Sequence, residues 1–295
     1  MIAVYHLGGR KVALAGLRRI AGDPEAGIDD LRTPYRDWLS TRQPAVTIGS
    51  ESTAHRAEFC DDPELWKLLS SHPATEVQPN INSDYGPMGL NEDNPQGRKA
   101  ALEGTLDQLR EIDPDLGGIF DLVVNRICVG GWSTGVAGSS SADIGVIWAA
   151  MPEGYDSGDL AEFLVHEFTH HLLFIDEAAF GHYTDPQAAA TGGMSLSAIR
   201  GIVRPLAFVL HGLVVAVEIL RLRRGPVGAL PSTGYVHPDT QHLYDSSVAC
   251  VRSIEASTEI RPLLSRRGQA LFDSCRATLE LTEMKRLGTL DATRS

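Results

Sequence analysis

Residues 164–174 read LVHEFTHHLLF, and the spacing of His166, Glu167 and His170 decides how the chain is read. On an α-helix, positions i and i+4 share a face roughly 6 Å apart, so the two imidazoles can bind one ion. Glu167 lies about 100° round the helix, close enough to touch a metal-bound water without ligating. The flanking Leu164, Val165, Phe168, Leu172, Leu173 and Phe174 are apolar enough to bury such a helix. With ten histidines in the chain, an HExxH can arise by chance, so its context has to support it. The plain reading is a helix with histidines on its outer face. The chemical readings are zinc activating water or iron activating dioxygen.

Outward from the motif, Asp159 and Glu162 have the spacing of a capping box at the start of its helix. Upstream, GRKAALEGTLDQLREI (97–112) has helical periodicity, while FDLVVNRICV (120–129) and IGVIWAAM (144–151) read as strands. The loop between them, GGWSTGVAGSSSAD (130–143), is glycine-rich but runs into a strand and ends without Lys-Ser or Lys-Thr. It therefore reads as a hairpin or substrate-flanking loop rather than a phosphate cradle. Downstream, helices are expected over 195–224, about 239–257 and about 262–286. Residues 1–95 are broken by Pro, Gly, Asn and Asp, most densely at 78–95, with one short helix expected at PELWKLL (63–69). The expected fold class is α+β, with a few strands preceding a mostly helical C-terminal half. The metal site would lie between the HExxH helix and a second buried helix. Residues 1–95 form an N-terminal region with no legible architecture, and 96–295 one integrated metal-binding catalytic region.

Two histidines do not complete a site, so a third protein ligand is expected. The metzincin pattern fails, because Leu173 and Asp176 occupy its glycine and third-histidine positions. Glu177 shares the helical face but sits about 10 Å along the axis from His170, too far for a shared ion. His182, in the turn-rich AFGHYTDP, either folds back or remains a loop histidine. The best-placed candidate is His211, in RPLAFVLHGLVVAVEILRLRR (204–224). Between Pro205 and Leu220 only His211 and Glu218 are polar, an all-apolar helix is a buried one, and a buried histidine needs a partner or a metal. A core histidine bonded to a backbone carbonyl is the bland alternative, and Glu218 is the runner-up ligand. Arg204, His211 and Glu218 recur every seven residues, so on one helix they would line one face. Arg204 would then grip a carboxylate whose other end chelates the metal, with Arg200 in reserve. A surface arginine or cap partner is the alternative for Arg204.

Composition narrows the partners. The net charge of −12 argues against nucleic acid, whose phosphates need a basic surface. The only compact basic clusters are RLRR (221–224), which suits the negative end of a helix, and SRR (265–267). No apolar run is long enough to cross a membrane, and the first residues do not read as a signal peptide. Cys60, Cys128, Cys250 and Cys275 are far apart in sequence and form no CxxC, as expected of a cytoplasmic protein with reduced, buried thiols.

Three stretches, SSSADIGVIWAAMPEG (139–154), DLAEFLVHEFTHHLLF (159–174) and SAIRGIVRPLAFVLHGLVVA (197–216), resemble the 2-oxoglutarate-dependent HExxH-type peptide β-hydroxylases, also described as HEXXH-motif peptide-modification proteins. The likeness covers roughly residues 138–224. It implies iron(II) at His166 and His170, with His211 as third ligand and 2-oxoglutarate as cosubstrate. The substrate would be a peptide or amino acid, such as a ribosomally made precursor hydroxylated at a side-chain β-carbon in a natural-product pathway. Glu167 would then lie beside the iron without acting as a base. The alternative is a zinc metallopeptidase, with His166, His170 and Glu218 or His211 as ligands and Glu167 activating water. A third class, a binding module that keeps the helix pair as scaffold, makes no use of the intact HExxH.

Overall fold

The computed structural model describes residues 8–44, 56–60, 62, 65, 95–129, 138–149, 155–234 and 236–292, with side chains through residue 282. It is mostly helical with a few strands, an α+β arrangement. The N-terminal helices are α1 (Arg10–Ala13), α2 (Ala15–Ala21) and α3 (Ile28–Arg42). Strand β1 (Glu58–Cys60) precedes α4 (Pro95–Ile112), α5 (Pro114–Val123), β2 (Arg126–Val129) and β3 (Val146–Ala149). The motif lies in α6 (Ser157–Phe180), followed by α7 (Pro186–Thr191) and the short strands β4 (Ser195–Leu196) and β5 (Val203–Arg204). Helices α8 (Leu206–Leu222), α9 (Thr240–Ala256) and α10 (Arg266–Ala292) complete the order.

The three longer-range strands form a parallel sheet in the order β1-β2-β3. One core joins Leu14, Leu17, Tyr35 and Leu39 of the N-terminal helices to the sheet and to α6, α8, α9 and α10. The approach of α2 to α6 depends on Gly16, where a Cβ would lie 3.0 Å from the Ile175 side chain and 3.2 Å from the Asp176 backbone. Helix α8 is buried along nearly its whole length, as its apolar composition requires. Each of its fully buried Leu and Val side chains contributes about 1.5–3 kcal/mol through burial. Among the described residues, no helix is long and apolar enough to cross a membrane.

Several expectations are corrected. Residues 120–123 are helical rather than extended, and only 126–129 form the strand. Asp113 caps α5 by accepting from the Leu116 N–H, and Pro114 at its first position sets a helical φ, so the apolar run starts as a helix. Strands β2 and β3 are parallel, so the segment between them is not a simple hairpin, although Gly138 pairs antiparallel with Trp148. Residues 130–137 of that loop lie outside the described set, as do most of 63–69 and residues 78–94.

The helix expected from residue 195 begins only at Leu206. Residues 195–196 and 203–204 pair instead as an antiparallel ribbon, Ser195 with Arg204 and Leu196 with Val203. Pro205 disfavours a helical conformation at the residue before it, so Arg204 is a strand residue and the shared-face argument with His211 does not hold for it. The capping box also shifts by one turn. Asp156 is the N-cap of α6, its N–H donates to Asp159, and Glu162 is freed for another role. Asp159 then collects hydrogen bonds from Ser232, Thr233 and Gly234, tying the start of α6 to the loop after α8. Finally, the cysteines are not all remote in space: Cys60 and Cys128 are register partners in β1 and β2, with their sulfurs 3.1 Å apart.

Candidate metal centre

The polar stripe of α6 is the foundation of the site. Glu162, His166 and His170 succeed one another every four residues, and Glu177 follows seven later, so all four share one helical face. The rings of His166 and His170 lie 5.0 Å apart, centre to centre, and both are buried. Across from them, α8 brings His211, whose ring lies 5.8 Å from that of His170. Histidine 171, the second of the His-His pair, has a different role. Its Nδ1 accepts from the Gly145 N–H at 3.2 Å, and burial pulls its pKa down to about 3, so it is a neutral prop between α6 and β3.

A relay of side chains orients His166. Arg223 donates twice to Glu162, at 2.5 and 2.9 Å. The same carboxylate lies 3.1 Å from His237 Nδ1, and His237 Nε2 lies 2.7 Å from His166 Nδ1. Burial pushes Glu162 towards the neutral form, but His237 and Arg223 outweigh it and hold its pKa below the usual value. An ionised carboxylate only accepts, so the proton must sit on His237 Nδ1. His237 Nε2 then accepts from His166 Nδ1–H. What remains is a lone pair on His166 Nε2, buried and without a hydrogen-bond partner among the described residues. A ligand imidazole held through its other nitrogen presents itself in this way.

Charge around the pair keeps it neutral. Burial first, then His170, His237 and Arg200, hold His166 well below its ordinary pKa. For His170 the causes are burial, then His211, His171, Arg200 and Arg204. Metal ligation needs such uncharged imidazoles. Both arginines, on the β4–β5 ribbon, therefore lie within electrostatic range of the HExxH histidines. The Arg204 guanidinium also stands 4.6 Å over the Phe208 ring.

Glu167 is fully buried, and Ser139 Oγ donates to its Oε2 at 2.7 Å. Its Oε1 is 4.0 Å from His166 Nε2. Glu218 is fully buried and within electrostatic range of the Cys275 thiol of α10. His182 does fold back: it is fully buried, with Nε2 2.9 Å from Asp176. Among the described residues, the group of three whose ligand atoms all lie within 4.8 Å of one another is Glu177, His182 and His211, rather than His211 with the motif pair. A cavity of about 350 Å³ opens beside Glu162 and Arg223, but no histidine lines it, so it is not room for a ligand on the HExxH pair.

Sequence reasoning missed His237, Glu162 and Arg223. Glu162 carried a partial signal, its place one turn before His166 on the same helical face. His237, 71 residues from His166 in a turn-rich segment, carried none. No family model and no curated protein matches the chain.

Proposed function

We propose that the protein is a non-haem iron(II), 2-oxoglutarate-dependent oxygenase of the cytoplasm. It would hydroxylate a side chain of a peptide or amino acid, at the β-carbon, in natural-product biosynthesis. The observation that carries this reading is the electrostatic proximity of Arg200 and Arg204 to the HExxH histidines. A dianionic keto acid entering a chain of net charge −12 needs local cations, and a guanidinium pairs with a carboxylate through two parallel bonds. His166 and His170 would hold the iron; the sequence expectation adds His211 as third ligand, although its Nε2 stands 3.6 Å from Glu177. The buried lone pair on His166 Nε2 fits such an ion. Iron bound there would supply dioxygen activation, with 2-oxoglutarate as the co-reductant. The residues themselves do the rest. Glu162 and His237 hold the tautomer of His166, Arg200 and Arg204 receive the cosubstrate carboxylate, and the apolar walls of α6 and α8 exclude water. Met194, Ile202 and Val203, exposed apolar side chains around the same ribbon, offer a peptide a surface beside the arginines.

Anaerobic protein loaded with iron(II) is expected to develop a visible charge-transfer band when 2-oxoglutarate is added. Arg204→Ala should raise the 2-oxoglutarate concentration needed for half the band by about 10- to 100-fold, the worth of a lost charge-assisted pair, without emptying the metal site. Absence of the band in iron-loaded wild-type protein ends the oxygenase reading.

One observation favours zinc hydrolysis as a second reading: Glu167 Oε1 stands 4.0 Å from His166 Nε2, where a general base would reach a bound water. In that case Glu167→Gln should cost on the order of 10²-fold or more in rate. On the oxygenase reading no such base is required, since the oxidising power comes from dioxygen and 2-oxoglutarate. Glu167→Gln is then expected to retain measurable 2-oxoglutarate consumption. Peptide cleavage that vanishes in Glu167→Gln would transfer the assignment to the hydrolase.

A further inference from the structure

The far end of the polar stripe repeats the design found at His166. Arg267 donates to both oxygens of Asp176, at 2.8 and 2.6 Å. The same carboxylate accepts from His182 Nε2 at 2.9 Å. Because the carboxylate can only accept, His182 carries its proton on Nε2 and presents a lone pair on Nδ1. That nitrogen is buried and has no hydrogen-bond partner among the described residues. It faces Glu177 Oε2 at 3.9 Å, and His211 Nε2 approaches the same oxygen at 3.6 Å. A buried polar atom without a partner is costly, and both imidazole nitrogens stand beyond hydrogen-bond distance of the carboxylate on which they converge.

We propose that Glu177, His182 and His211 form a metal site of their own, separate from the HExxH pair, for a divalent transition ion of the zinc or iron type. Two imidazoles and a carboxylate are the donor set of open tetrahedral zinc sites and of non-haem iron sites. Donors around such an ion lie about 3.3–3.5 Å apart for bonds of about 2.0–2.1 Å, so the two contacts to Glu177, at 3.9 and 3.6 Å, close by a few tenths of an ångström and the trio draws in from within 4.8 Å. Asp176 is the outer partner that fixes the ligating nitrogen, as Glu162 with His237 does for His166. Glu177 is one-third exposed, which gives the ion a way in. Close packing keeps the site in place: at Gly268 of α10 a Cβ would meet the His182 carbonyl at an impossible distance, so only glycine lets that helix back the histidine. The site goes beyond the oxygenase reading and does not depend on it. It amends one part, since His211 serves Glu177 and His182 here, and the first ion keeps His166 and His170.

The test is metal stoichiometry. Metal-stripped full-length chain is reloaded with zinc(II), desalted, checked for fold by circular dichroism, and its zinc counted by mass spectrometry. Wild-type protein is expected to retain two ions per chain. Glu177→Ala, at a half-buried helix position that alanine suits, and His182→Ala should each retain one. His166→Ala/His170→Ala should also retain one, and should lose it when Glu177→Ala is added. A single ion lost in Glu177→Ala but kept by His166→Ala/His170→Ala upholds this site and removes the HExxH centre. A single ion with the opposite behaviour overturns this site and leaves the HExxH centre standing. Zinc content unchanged by both Glu177→Ala and His182→Ala in folded protein, or no retained zinc in the wild type, overturns it as well.

Discussion

His166→Ala and His170→Ala are each expected to empty the HExxH centre and abolish turnover while the chain still folds. Each variant removes one of the two imidazoles that α6 alone supplies, and a helix cannot bring another residue to the same point on its face. The loss of affinity should exceed by far the 10- to 100-fold that typifies a change in an outer partner. Neither substitution opposes the helix, because alanine is its best former and the flanking apolar residues are untouched. His166→Ala carries an additional cost of about 1–3 kcal/mol, since the buried His237 Nε2 loses its donor. Metal content and thermal unfolding measured on the same samples separate the two effects. Unchanged iron binding in both variants would remove the motif from the site.

Glu162→Gln should produce the next largest change, although Glu162 makes no contact with an ion. The carboxylate accepts from Arg223 and from His237 at once. In glutamine an NH2 group replaces one of the two oxygens: at Oε1 it faces Arg223 Nε, and at Oε2 it faces both Arg223 Nη2 and His237 Nδ1. In the second orientation His237 is no longer held with its proton on Nδ1, and the His166 lone pair is no longer directed to Nε2. Metal affinity should fall about 10- to 100-fold in a chelator competition. The mutation also breaks a buried bidentate ion pair, which typically costs about 3–5 kcal/mol. Asp176→Asn tests the same logic at the other pole. Unaltered metal affinity in folded Glu162→Gln protein would show that the relay is only a tether between α6 and the segment after α8.

The relay was invisible in the sequence for a definite reason. Glu162 had the spacing of a helix cap with Asp159, and local pattern rules assign it there. The chain instead starts α6 at Ser157, which moves Asp159 into the first turn and leaves Glu162 facing inward. Its partners come from residues 223 and 237, on either side of a turn-rich segment that has no period to read. The expected placement of Arg204 on the His211 helix failed differently. The seven-residue spacing is real, but the proline between them ends helical geometry, so the arginine reaches the site from a strand ribbon. His182 was weighed as a loop histidine, and its burial against α10 follows from a glycine more than eighty residues later.

What the sequence determined by itself is what depends on neighbours within one element. The pairing of His166 with His170, the buried character of α6 and α8, and the inward placement of His211 all follow from a 3.6-residue period and from apolar flanks. The α+β class follows from the same local patterns, read along the chain. Tertiary structure alone decided which nitrogen of each imidazole faces inward and that His182 and Glu177 converge on His211. It also brought the arginines of the β4–β5 ribbon into range of the motif. Those features require groups from separate elements to come within reach of one another. Such meetings are set by how helices and loops pack against one another, and no periodicity in a single segment encodes them.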